Sequence, residues 1–135
     1  MFQLSKKVEY GLIAIRHMAS GNGGRMFTAK EIAEAYHISY DLLAKVMQKL
    51  AKEGFISSFQ GVHGGYILTR NPNQINVAEI INSIEGKPNV TIVQCEAEGS
   101  KDCVIQSTCT IKDPLVKLQE SINKVFEDIS ITQMI

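Results

Sequence analysis

The apolar positions repeat at helical spacing through most of the chain. Residues 4–20 carry Val8, Leu12, Ile15 and Ala19 on one stripe, and Gly21 to Gly24 (GNGG) close that first predicted helix. Thr28 and Glu31 stand in a T-A-K-E capping pattern ahead of Ile32 and Ala33, which predicts a short second helix to about Tyr36. After a break at His37-Ile38-Ser39, Ser39 is placed to cap a third helix over 40–53, with Leu43, Val46, Met47 and Leu50 inward and Gly54 at its end. Two β-type runs, 55–59 and 66–69, flank Gly61-Val62-His63-Gly64-Gly65, a loop with three glycines free to take positive φ. Asn76 then caps a helix bearing Val77, Ile80, Ile81 and Ile84, ending at Gly86 before Pro88.

This order predicts a mainly α fold: a winged helix-turn-helix with a small two-stranded wing, complete within residues 1–86. Residues 87–112 show little periodicity. From Asp113-Pro114, read as N-cap and N1, a long helix places Leu115, Leu118, Ile122, Val125, Phe126 and Ile129 along one side. Such a face must be covered. A second copy of the chain covers it most economically, with folding back onto its own domain as the other solution, so residues 113–135 are expected to be a dimerisation helix and tail.

Charge adds one detail. The chain carries 14 Lys and Arg against 14 Asp and Glu, so net charge alone argues nothing about nucleic acid. The balance is uneven, however: residues 1–86 hold nine basic and seven acidic side chains, and the remainder five and seven. The N-terminal part is therefore the expected DNA contact. No run approaches the roughly 18 apolar residues of a membrane span, and Lys6, Lys7 and Glu9 interrupt the first apolar stretch, which reads as a cytoplasmic chain without a signal peptide. No nucleophile–base–orienter set and no phosphate loop is present, which argues against an enzyme.

On the third helix the outward side presents Asp41, Lys45, Gln48 and Lys52 in one polar stripe, with Lys49 beside it. Lys45 and Gln48 suit base edges in the major groove, and Lys49 and Lys52 suit phosphates. Ser39 and Tyr40 stand at the helix N-terminus, where the backbone favours a phosphate. Gln60, His63, Gly64 and Gly65 of the wing complete the expected DNA contacts. A charged helix face can equally be a solvated one; it is the adjoining wing that favours DNA.

Cys95, Cys103 and Cys109 are separated by seven and five residues, an odd set that cannot pair fully within one chain. The spacing is looser than the paired C-x-x-C elements of zinc sites. Thiolates are the ordinary ligands of iron–sulfur clusters, and three would leave one position of a four-ligand cluster to be filled from elsewhere. Taken alone, the three are compatible with a metal site, with thiol redox chemistry or with small packing residues.

Taken together, Leu4-Ser5-Lys6 with Tyr10, the stretch from Ile32-Ala33-Glu34 to Ile38-Ser39, Leu42-Leu43, Leu50, the wing from Gly61 to Leu68, and Ile75-Asn76-Val77 with Glu79-Ile80-Ile81 resemble the IscR/NsrR-type bacterial winged-helix regulators. The resemblance covers nearly the whole chain. It implies a homodimer paired through the long helices, an operator-binding transcription regulator, and an iron–sulfur cluster responding to redox, nitric oxide or iron–sulfur status. Two positions depart from IscR-like members: Lys112 stands where they carry a histidine ligand, and Gln60 where many carry arginine. NsrR-like members use an acidic residue of the partner's first helix, which here is Glu9, with His37 as the second choice. That ligand set, Cys95, Cys103, Cys109 and Glu9, favours a 4Fe–4S over a 2Fe–2S cluster. The alternative is a regulator on the same fold controlled by thiol redox or by a protein partner, without a cluster. His17 is read as a packing or surface residue.

Overall fold

The computed structural model of the chain describes residues 3–21, 25–86 and 110–134. Three helices come first, each started by a short hydroxyl side chain that accepts from a free first-turn N–H. Ser5 accepts from Val8 N at the head of α1 (Lys6–Ser20), Thr28 from Glu31 N at α2 (Ala29–Tyr36), and Ser39 from Leu42 N at α3 (Tyr40–Lys52). Between α2 and α3 the elbow turns at His37, which adopts the left-handed conformation at φ 54° and ψ 45°. The reciprocal half of the capping box expected at Thr28 is missing, because the Glu31 carboxylate pairs with Arg25 instead. The complete box lies at α4 (Val77–Glu85): Asn76 accepts from Glu79 N at 2.8 Å, and Glu79 accepts from Asn76 N at 3.1 Å.

The wing is an antiparallel pair, β1 (Ile56–Phe59) and β2 (Gly65–Leu68), in register from Ile56 opposite Leu68 to Phe59 opposite Gly65. Both strands begin one residue away from the expected runs, since Phe55 turns into the core. Phe27 and Tyr66 exchange backbone hydrogen bonds of 2.9 and 2.7 Å, tying the wing to the segment ahead of α2. The wing turn closes from Gly64 N to Gly61 O at 3.0 Å, and a side chain at Gly64 would place Cβ only 2.3 Å from Phe59 O. No rotamer relieves a clash with backbone, so glycine is required there.

The core lies where α1, α3 and α4 meet. Val8, Ala14, Ile15 and Met18 of α1 pack with Leu43, Val46, Met47 and Leu50 of α3 and with Val77, Ile80, Ile81 and Ile84 of α4. The stripes expected for α3 and α4 are the buried ones. On α1 the buried face is rotated from the expected one: Gly11, Ala14 and Met18 are buried, while Leu12 and Ala19 are only partly covered. The reason is close approach. A Cβ on Gly11 would lie 2.3 Å from Ile84 Cδ1 and 3.5 Å from Val46 Cγ1, so the smallest residue marks the contact line.

The long helix α5 (Lys112–Asp128) starts one residue before the expected cap. Ile111 occupies the cap position without a side-chain hydrogen bond, so Asp113 lies inside the first turn rather than capping it. None of its residues is buried; Leu118 and Val125 are 50% and 54% exposed. In its last turn Phe126, and just beyond it Ile129, rest against the core, and Ile131 is fully buried in it, inside a 3₁₀ turn (Ile131–Met134). The winged-helix unit expected to be complete by residue 86 thus takes one of its core side chains from the tail.

Candidate nucleic-acid interface

The inward stripe of α3 decides what its other side shows. With Leu43, Val46, Met47 and Leu50 buried, Asp41, Lys45, Gln48, Lys49 and Lys52 are all exposed. The three lysines make no ion pair or side-chain hydrogen bond with any described residue. Three other cations of the domain are committed, Lys6 to Glu9, Arg25 to Glu31, and Arg70 to both oxygens of Glu79 at 3.0 and 3.3 Å, whereas Lys7 and Lys30 are, like the α3 lysines, without an ion pair among the described residues. Lys49 and Lys52 lie in the last turn, where the helix dipole favours them, but that preference leaves Lys45 in mid-helix unexplained. Their charges are thus presented to solvent along one edge, available to a polyanion.

At the head of α3, Ser39 is spent on its cap and is an anchor for the helix, while Tyr40 is 53% exposed beside it. The Tyr66 hydroxyl of β2 is held above its ordinary pKa, first by burial and then by Tyr40. The Tyr66 hydroxyl therefore stays a neutral hydrogen-bonding group at physiological pH. The wing tip presents Gln60 and His63 to solvent. Gly64 and Gly65 act by shaping the turn. The sequence reading passed over Val62, which is 97% exposed at the tip; an isolated valine in a glycine loop carries no periodic signal.

The second candidate group is only partly within the described residues. Cys95, Cys103 and Cys109 lie outside them, and among the described residues no group of three His, Cys, Asp or Glu could hold a metal. Glu9 is on the first turns of α1, with 44% of its side chain accessible and its carboxylate 3.0 Å from Lys6 Nζ. That hydrogen bond holds the Lys6 ammonium above its ordinary pKa. The Ser5 hydroxyl reaches the Glu85 carboxylate, so the start of α1 is tied to the end of α4, immediately before the cysteine-bearing stretch. An accessible carboxylate committed only to an exposed lysine fits the chemistry of a fourth, weaker ligand beside three thiolates. His37 is exposed in the elbow. His17 packs edge-on against Phe27, with Nδ1 2.9 Å from the Tyr36 hydroxyl, as a packing residue does.

A cleft of about 420 Å³ between the end of α1 and the root of the wing is lined by Arg25 and Arg70 over Met18, Phe27 and Leu68. Both arginines are engaged in the fold. Each holds the carboxylate at the third position of a helix, Glu31 in α2 or Glu79 in α4, and each stacks on a phenylalanine, Phe27 at 4.6 Å and Phe55 at 5.0 Å.

Comparison with known proteins agrees with this geometry. The model of the Rrf2 family, described as an iron-dependent transcriptional regulator, matches residues 4–135. The HTH-type transcriptional regulator NsrR of Shouchella clausii (strain KSM-K16) is 27% identical over 133 residues, covering 98% of this chain and 88% of that protein. Among solved structures, IscR of T. potens is 30% identical with a TM-score of 0.73, covering 98% of this chain and 85% of that one. CymR (YrzC), the global cysteine regulator of B. subtilis, shares the fold at 22% identity, with a TM-score of 0.78 over 99% of this chain and 96% of that one.

Proposed function

The chain belongs to the Rrf2 family of transcriptional regulators, and from that membership we propose that it is a homodimeric, operator-binding regulator whose grip on DNA is set by an iron–sulfur cluster. It is a transcription regulator and not an enzyme. Among the described residues no helix is long and apolar enough to cross a membrane. The cytoplasm is the proposed compartment.

The observation that carries the DNA reading is the exposed row of Lys45, Lys49 and Lys52 beside the wing, without ion-pair partners among the described residues. Lys45 and Gln48 are proposed to read base edges, with Asp41 beside them on the same exposed stripe; Tyr40, Lys49 and Lys52 hold phosphates, and Gln60 and His63 follow the groove flanked by the wing. Substituting Lys45→Ala and Gln48→Ala should each weaken specific binding by about 1–3 kcal/mol while leaving the helix content intact. Unchanged operator affinity in a gel-shift titration contradicts the assignment.

The cluster reading rests on the donor set: three thiolates from Cys95, Cys103 and Cys109, completed by Glu9 of the partner subunit, with a 4Fe–4S cluster favoured over 2Fe–2S. When bound, such a cluster supplies a site that oxidants or nitric oxide can alter, with the carboxylate-held iron the most exchangeable. The chain's own residues give the connection to DNA. Glu9 stands on α1, and α1 packs directly on α3, Ala14 and Ile15 sharing one buried core with Val46 and Met47. A change in what holds Glu9 therefore biases the placement of the recognition helix, and operator affinity follows as a population shift.

The test is anaerobic purification with iron and sulfide assay, visible absorption and operator titration, on wild type, Cys103→Ala and Glu9→Ala. The expected result is a coloured wild type, a colourless Cys103→Ala, and a Glu9→Ala protein that loses cluster faster in air. A colourless, iron-free wild type with full operator affinity overturns the cluster, and reversible oxidation of its thiols would then establish control by thiol redox on the same fold.

A further inference from the structure

Among the described residues α5 meets the DNA-reading unit where it packs on α4, with Phe126 against the core, and through a short backbone-paired segment at its exit. Ile129 O accepts from Val77 N at 3.0 Å and Ile131 N donates to Ile75 O at 2.9 Å, so that Ser130 bridges Asn76 as a single antiparallel step. Ser130 N donates to Gln133 Oε1 at 2.8 Å and closes the turn that follows. Arg16 Nε then donates to Met134 O at 2.8 Å. Ile131, with no exposed surface, fixes the segment between these two anchors.

What the segment holds is informative. Residues 75–77 lead out of the wing, through the 3₁₀ turn Pro72–Gln74, into the head of α4. Arg16 belongs to α1, which carries Glu9 and packs on α3. Six residues at the exit of α5 therefore grip the wing's root, the start of α4 and the end of α1 together. By contrast α5 fully buries none of its own side chains and touches the unit along α4 and through the partly covered Phe126, so the fully buried, backbone-bonded part of its attachment is this grip.

We propose that residues 129–134 are a positioning clamp that fixes the angle between α5 and the DNA-reading unit, and so sets the half-site spacing that the dimer accepts. This rests on the proposed dimer formed through α5. With two recognition helices in one assembly, their separation and tilt follow from the angle each domain makes with its own α5, and operators whose half-sites are moved off that geometry are penalised. A clamp with a buried side chain at its centre and hydrogen bonds on both sides resists rotation as a two-state element, docked or undocked.

The experiment separates docking from coupling. Two glycines inserted between Asp128 and Ile129 leave the clamp free to dock, because lengthening a short connection costs little closure entropy, but they release the angle. Duplexes are selected with the wild-type protein from a random pool, and the half-sites are then respaced by one and two base pairs. Wild type is expected to lose affinity about tenfold or more on respacing, within the range of ordinary coupling free energies, and the insertion variant less than about threefold. Its unfolding midpoint should stay near that of wild type, showing that Ile131 is still seated. Equal discrimination by both proteins overturns the clamp. If the insertion variant fails to fold, Arg16→Gln, a change at an exposed residue, replaces it; discrimination as sharp as wild type in that variant also overturns the proposal. Sedimentation equilibrium distinguishes the two readings: a monomeric wild type removes the dimer and the clamp with it, whereas a dimer with unrelaxed spacing removes the clamp alone.

Discussion

Replacing Ile131 with alanine tests the least expected feature of the fold. The side chain is fully buried, three residues beyond a helix that fully buries none of its own, and its backbone N–H is committed to Ile75 O. Truncation removes three carbons, worth about 0.8 kcal/mol each in transfer free energy, and leaves a cavity that only partial relaxation can fill. The seat is formed by backbone-paired residues and the start of α4, which restricts collapse, so a total near 3 kcal/mol is expected, within the roughly 2–5 kcal/mol seen for buried Ile to Ala changes. At about 4 °C per kcal/mol for a chain of this size, the thermal midpoint should fall by about 12 °C. Urea unfolding followed by circular dichroism at fixed protein concentration is the assay, since dimerisation would make the midpoint depend on concentration. Thr132→Ala, at the exposed neighbouring position, should stay within about 0.5 kcal/mol. A cost below about 1 kcal/mol for Ile131→Ala, with unchanged slope, would show that the tail is not part of the core.

Three further outcomes follow from the same geometry. Gly64→Ala forces the wing turn open against Phe59 O and Gly61 O, and should lower operator affinity severalfold by fluorescence anisotropy while costing only about 1–2 kcal/mol of global stability, because the turn is exposed. Lys52→Ala should reduce the slope of log affinity against log salt by about 0.9 with no change in melting temperature, as expected for one lost phosphate contact; an unchanged slope assigns Lys52 to solvent. Leu118→Asp in α5 should raise the dimer dissociation constant about a hundredfold in sedimentation equilibrium, since a twofold interface loses the burial of two leucines at about 1.5 kcal/mol or more each.

The parts of the fold legible in the sequence are those that local rules determine. Ser39, Thr28 and Asn76 cap where their side-chain chemistry predicts, and the stripes of α3 and α4 are the buried ones, because in each a full turn of periodicity points to one face. The illegible parts depend on distant partners. Glu31 fits a capping box by spacing, yet Arg25 outcompetes the backbone N–H for its carboxylate. The face of α1 turns toward Gly11 because Ile84, from α4, needs the room. Ile131 lies in a four-residue turn with no period to read, and its burial is decided by residues 75–77. At the interface, the exposure of Lys45, Lys49 and Lys52 was readable from periodicity, but their lack of ion-pair partners among the described residues was not, since ion pairing is settled by what the fold brings near. The cysteine ligands fall outside the described residues, and Glu9 was found by resemblance rather than by any local pattern.

The seat of Ile131 also has a consequence during synthesis. The helices and wing of residues 6–85 leave the ribosome first, and at about 5–20 residues per second the tail follows only seconds later, after the cysteine stretch and α5. During that interval the nascent domain carries an empty apolar slot between the wing's root and α4. The DNA-reading unit therefore reaches its final packing only when residue 131 has cleared the exit tunnel, which delays a fully formed recognition surface until the segment that sets its orientation has also been made.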